Sequence, residues 1–152
     1  MSDSILSNEQ RRALNEVLDE LIPPSLDGKL PGAGEIDLAA AVEKALVRNP
    51  GMQPVIEQGL SAVAEIVRAH NLKEWVAAPA VQRGSMMREL EAKDAGFIMT
   101  LMFVAYAVYY QHERVLATLG LEARAPHPRG YDMRPHDLTL LEPVRRRGRI
   151  FR

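Results

Sequence analysis

From Phe97 to Tyr110 the chain reads FIMTLMFVAYAVYY, a run with no charge, glycine or proline, set between Asp94 and the polar cluster His112, Glu113 and Arg114. Its length favours helix over strand. An amphipathic surface helix would gather polar residues on one side, but here every face is apolar apart from Thr100 and the tyrosine hydroxyls, the pattern of a helix enclosed by others. Even when extended to Ala95 and Gln111, the uncharged stretch falls short of the roughly 20 residues that cross a bilayer. A buried core helix at about 95–111 is therefore expected, and no transmembrane segment. Gly96, Thr100 and Ala107 share one side of it, where small side chains let a neighbouring helix approach closely.

Elements before this run follow helical spacing. Ser7 to Ile22 places Leu14, Val17, Leu18 and Leu21 at intervals of three and four, and Ser7 with Gln10 forms a capping box. Pro23 and Pro24 end that helix, and the loop PPSLDGKLPGAG is long enough to suggest either a function or a partner against which it lies. A second helix is expected over Glu35–Val47, acidic in its first turn, and a third from Pro54 to Ala69, with His70 and Asn71 as its cap. Trp75 is a candidate core anchor, Pro79 a break, and Ser85–Lys93 a short helix. Beyond the central run, His112–Leu119 reads as one or two further turns closed by Gly120.

The remainder changes character. APHPRGYDMRP cannot sustain a helix and reads as an extended arm, followed by a short terminal helix within Leu138–Arg147 that has Pro143 in its first turn and Leu140, Leu141 and Val144 facing inward. The expected fold is all-α: a single domain with a small helical bundle at 1–124, built around the central helix, and an extended proline-rich C-terminal arm at 125–152.

Chemistry-bearing constellations are thin. The chain has no cysteine, hence no disulfide, thiolate metal site or cysteine nucleophile, and its four histidines lack the spacing of a helical metal motif. Glu89 and Glu91 are two apart and point to different sides of a helix, which suits a solvated face better than an acid and base pair. The segment LPGAG follows no strand and lacks the phosphate-loop lysine. No catalytic, cofactor-binding or metal-binding residue is assigned.

Charge is uneven: 10 basic and 15 acidic side chains precede residue 95, and 9 and 5 follow it, with every basic residue of the second part an arginine. Arg145, Arg146 and Arg147 interleave with Leu140, Leu141, Val144, Ile150 and Phe151. That mixture suits an arm docked on a partly apolar protein surface through arginine–carboxylate pairs better than a nucleic-acid site. Tyr110 is singled out because it lies where the apolar helix meets polar sequence. The opening MSDSILSNEQRR shows no basic head followed by an apolar core, so a cytoplasmic location is expected, with the periplasm reached only if a partner carries the chain.

The segment AYAVYYQHERVLATLGLEARAPHPRGYDMRPHDLTLLEPVRRRGRIFR resembles the C-terminal region of the gluconate 2-dehydrogenase subunit 3 family, the small subunits of membrane-linked sugar and alcohol dehydrogenases. The tyrosine pair, the LG that closes the short helix, the HPRGYD arm and the final LLEPVRRRG carry the likeness, and the opening LDELIPP is similar to the family's first helix and turn. The resemblance implies a non-catalytic helical subunit that wraps, stabilises and helps to mature a FAD-dependent large subunit of the glucose–methanol–choline type, with FAD held by that partner. It places partner-binding residues at Tyr110, His127, Pro128, Gly130, Tyr131, Arg145, Arg146, Arg147 and Phe151. The alternative is a stand-alone helical binding protein, homo-oligomeric when no partner is present.

If the central helix is the core, Leu101→Asp should leave the chain insoluble or unfolded; a soluble variant that melts cooperatively would contradict that placement.

Overall fold

The computed structural model describes residues 5–123 and 138–147. Among these, seven α-helices form: α1 (Asn8–Leu21), α2 (Leu38–Arg48), α3 (Gln53–Ala69), α4 (Ala80–Lys93), α5 (Ala95–Tyr109), α6 (Glu113–Thr118) and α7 (Glu142–Arg146). Short 3-10 turns occur at Gly34–Ile36, Pro50–Met52, Trp75–Ala77 and Leu138–Leu141, and the described residues contain no strand. The all-α expectation is met. The arm segment at 125–137 lies outside the described residues.

Helix α1 starts where its sequence signals it. The Ser7 hydroxyl accepts from the Gln10 N–H at 3.2 Å, and the Gln10 side chain accepts from the Ser7 N–H at 2.9 Å, which satisfies two donors that a helix start leaves open. Leu14, Val17 and Leu18 on one side of α1 are fully buried. They pack with α2 and α3, whose own apolar faces present Val42, Leu46, Ile56, Leu60 and Val63. Each such side chain contributes about 1.5–3 kcal/mol on burial. The buried polar residue Glu43 of α2 sits beside this core, and its carboxylate accepts from the Leu6 N–H and from Arg11, so the chain ahead of α1 is tied to α2.

Helix α5 packs on α2, α3 and α4. Asp94 caps it by accepting from the Phe97 N–H at 2.9 Å. Its buried residues are Phe97, Ile98, Leu101, Val104, Ala105 and Tyr109. At Gly59 of α3 the ring of Phe97 comes so near that a Cβ there would overlap it.

Five expectations need correction. The central helix is not enclosed on all sides, because Met99 and Phe103 are 68% and 66% exposed and Gly96 and Ala107 also face outward. The glycine that admits a neighbouring helix belongs to α3, not α5. The second helix begins at Leu38 and not at Glu35, since Asp37 adopts a left-handed φ of 49° that breaks the run after the Gly34–Ile36 turn. The fourth helix begins at Ala80, immediately after Pro79, and runs through Gly84 to Lys93. In the terminal helix Pro143 does occupy the first turn, but Leu141 and Val144 are exposed instead of facing inward.

Among the described residues no single helix is long and apolar enough to cross a membrane, and α4 and α5 meet at a bend of 109°.

Gly59→Ala should destabilise the fold by about 1–3 kcal/mol through overpacking against the buried Phe97 ring, although Gly to Ala at an unconstrained helix position is stabilising by about 1 kcal/mol. Urea unfolding of the two proteins measures the difference, and a more stable variant would show that α3 and α5 are not in contact there.

Candidate functional site

The end of α5 is built by a convergence of three segments. Tyr109 points inward, and its hydroxyl donates to the Pro31 carbonyl oxygen at 2.8 Å, a buried bond between residues far apart in the chain. Burial pushes the Tyr109 phenol above its ordinary pKa, and the neighbouring Tyr110 and Glu35 add to that direction while Arg114 opposes it. The loop that follows α1 is held by this contact. Pro31, Gly32 and Ala33 are buried, the Gly34 N–H donates to Asp19 at 2.7 Å, and the Gly32 N–H donates to Glu35 at 2.7 Å. Thr118 of α6 donates to the Lys29 carbonyl at 3.3 Å, and Arg114 pairs with Glu35 at 3.6 Å. The long loop is therefore laid against α5 and α6 of its own chain.

Tyr110 follows as the cap of α5 and is half exposed. Its ring stacks on Tyr106 at 6.1 Å and meets the edge of Tyr109 at 5.3 Å, which fixes its orientation at the surface. His112 then caps α6 by accepting from the Arg114 N–H at 3.2 Å, and Gly120 closes α6 with a φ of 72°.

The C-terminal element carries the other expected residues within the described part. Arg145 pairs with Glu142 one turn earlier at 3.3 Å, while Arg146 and Arg147 are exposed. Leu138, Leu141 and Val144 are exposed beside them. No hydrogen bond or ion pair joins Tyr110 to these arginines among the described residues. His127, Pro128, Gly130, Tyr131 and Phe151 lie outside the described residues.

On the outward side of α5, Met99, Phe103, Tyr106 and Tyr110 form one apolar stripe that sequence alone does not set apart. Their spacing of three and four was present in the sequence, but apolar residues on the opposite side hid it.

A second surface feature is a groove of about 440 Å³ between α1, α3 and the Trp75 turn, bordered by Arg12, Glu16, Arg68, Lys73, Glu74 and Trp75. Mixed charges line it. Burial raises the Glu16 carboxyl above the ordinary range, partly offset by the Trp75 N–H, which donates to it at 3.2 Å; Glu74 raises it further and Arg12 lowers it. Glu89, expected as a solvated residue, pairs with the His70 ring at 3.0 Å and remains partly exposed. Among the described residues no group of three or more potential ligands is placed to hold a metal ion.

A family model described as Gluconate 2-dehydrogenase subunit 3 matches residues 8–123. The matched span begins with the first residue of α1 and contains α1 to α6, most of the chain, and the chain belongs to this family. It ends before the proline-rich arm on which much of the sequence resemblance rests. No curated protein and no solved structure matches the chain.

Because burial makes the Glu16 carboxyl costlier to ionise in the folded state than in the unfolded chain, its ionisation weakens the fold as pH rises through and past the ordinary glutamate range. Glu16→Gln keeps an acceptor for the Trp75 N–H and should raise the melting temperature at pH 7, with the gain shrinking toward pH 4 and below, where Glu16 is neutral in both states. A gain independent of pH would show that desolvation of the charge is not the cause.

Proposed function

We propose, from membership of the gluconate 2-dehydrogenase subunit 3 family, that this chain is a non-catalytic small subunit that binds and stabilises a FAD-dependent large subunit of the glucose–methanol–choline type and assists its maturation. The family match over residues 8–123 is the observation that carries this reading. In the complex, FAD and the oxidation belong to the large subunit, and the small one supplies contact surface.

The dock is the C-terminal region from about Ala125 onward. Its described part places three exposed apolar side chains, Leu138, Leu141 and Val144, beside Arg145, Arg146 and Arg147. Interfaces of this kind combine an apolar centre with arginines, whose planar guanidinium groups pair with carboxylates on both nitrogens at once. A protein surface bearing carboxylates around an apolar patch fits it better than a polyanion, because the chain as a whole carries a net charge of -1.

The test is recovery of a flavoprotein with the tagged full chain, with a truncation ending at residue 124, and with Arg145, Arg146 and Arg147 all changed to Glu. The full chain should bring down a yellow partner with flavin absorbance, and both altered chains should lose at least tenfold of it. Equal recovery by all three would remove the C-terminal dock. Absence of a flavoprotein from every sample would remove the subunit assignment.

A further inference from the structure

The outward side of α5 is covered by nothing among the described residues, and its composition specifies what fits it. From Ala95 to Gln111 there is no charge. Met99 is 68% exposed, Phe103 66%, Tyr110 50% and Tyr106 37%, and Gly96 and Ala107 are exposed between them. With Thr100, these residues recur at spacings of three, four and seven, so they form one stripe about 21 Å long at the helical rise of 1.5 Å per residue.

The order of sizes along that stripe is the informative part. When two antiparallel copies cross at Phe103, Gly96 of one faces Tyr110 of the other, Met99 faces Ala107, Thr100 faces Tyr106, and Phe103 meets its own copy. Met99, Tyr106 and Tyr110 are each opposed by a small side chain and only Phe103, on the axis, meets its equal, an arrangement that lets ridges of one helix seat in the grooves of another. In a parallel pairing Gly96 would oppose Gly96 and Tyr110 would oppose Tyr110, leaving a gap at one end and a clash at the other.

We propose that the chain forms a two-fold dimer with a second copy of itself through the exposed face of α5, the helices antiparallel and the axis at Phe103. Other occupants suit the stripe less well. A polyanion or an anionic bilayer surface calls for cations along the helix, and it carries none. A two-fold contact needs a self-complementary patch, which this stripe is.

Taking ~150–250 Å² as the area that one large side chain buries, the exposed parts of the four large residues come to about 400 Å² per protomer. With the small residues and the flanks, the contact sits at the low end of specific interfaces, whose usual size is roughly 800 Å² per partner. The dimer should therefore be weak and concentration-dependent. It uses a different surface from the C-terminal dock and needs no large subunit, so it stands or falls separately.

The absence of cysteine from the chain makes the register directly testable. Light scattering on the full chain should show mass rising from one chain toward two with concentration, and Phe103→Glu should hold it at one chain with an unchanged helical spectrum. Treated with a short thiol-to-thiol cross-linker, Phe103→Cys should couple to itself. Gly96→Cys and Tyr110→Cys should couple only when the two proteins are mixed, because like positions in the antiparallel pair are about 21 Å apart. A wild-type mass of one chain at several hundred micromolar, self-coupling of Gly96→Cys, or a dimer unaffected by Phe103→Glu would each overturn the proposal.

Discussion

Helix α5 can lie against α3 only because residue 59 has no side chain. The ring of Phe97 occupies the space that a Cβ would take, and both groups are buried. That contact fixes not just the separation of the two helices but the rotation of α5 about its own axis. With Phe97 inward, helical geometry turns Leu101, Val104 and Ala105 inward as well and sends Met99 and Phe103 to the surface. It also brings Tyr109 to the position from which its hydroxyl reaches Pro31. Core packing, the apolar outer stripe and the anchoring of the loop thus follow from one missing methyl group.

The loop after α1 illustrates why buried backbone needs partners. Proline and glycine there prevent the segment from satisfying its own carbonyls and amides through a helix, yet Pro31, Gly32 and Ala33 are buried. The Pro31 carbonyl is met by Tyr109, and the Gly32 and Gly34 amides by Glu35 and Asp19. A length that suggested a partner surface is accounted for by contacts within the chain.

What the sequence disclosed depended on whether a local signal stood clear of its surroundings. The α1 capping box, the extent of α3 with Asn71 in its left-handed cap, the buried Trp75 and the Gly120 stop are all local, and each is found where sequence places it. At the start of α2 the acidic residues at 35 and 37 imitate a favourable first turn, whereas Asp37 in fact marks the break. Gly84 and a weak apolar pattern conceal the first turns of α4 in the sequence. The outer face of α5 was illegible for a different reason: periodicity reveals a buried side only by contrast, and a helix apolar all round offers none. Tyr110 could be singled out since it lies at the boundary with polar sequence. The phenylalanine and methionine beside it could not. The family was readable from residues near the C-terminus, while the matched span lies mainly in the bundle.

Trp75 is the one tryptophan in the chain, its side chain is fully buried, and its indole N–H has no acceptor among the described residues. An indole so shielded from water emits at short wavelength, and the emission shifts red when solvent reaches it. The protein therefore contains a built-in optical probe in the buried core, on the turn that packs against α1. Its signal comes from the bundle interior, far in sequence from the arginine-rich end. Loss of the core can then be followed in the unmodified chain, without attaching a dye.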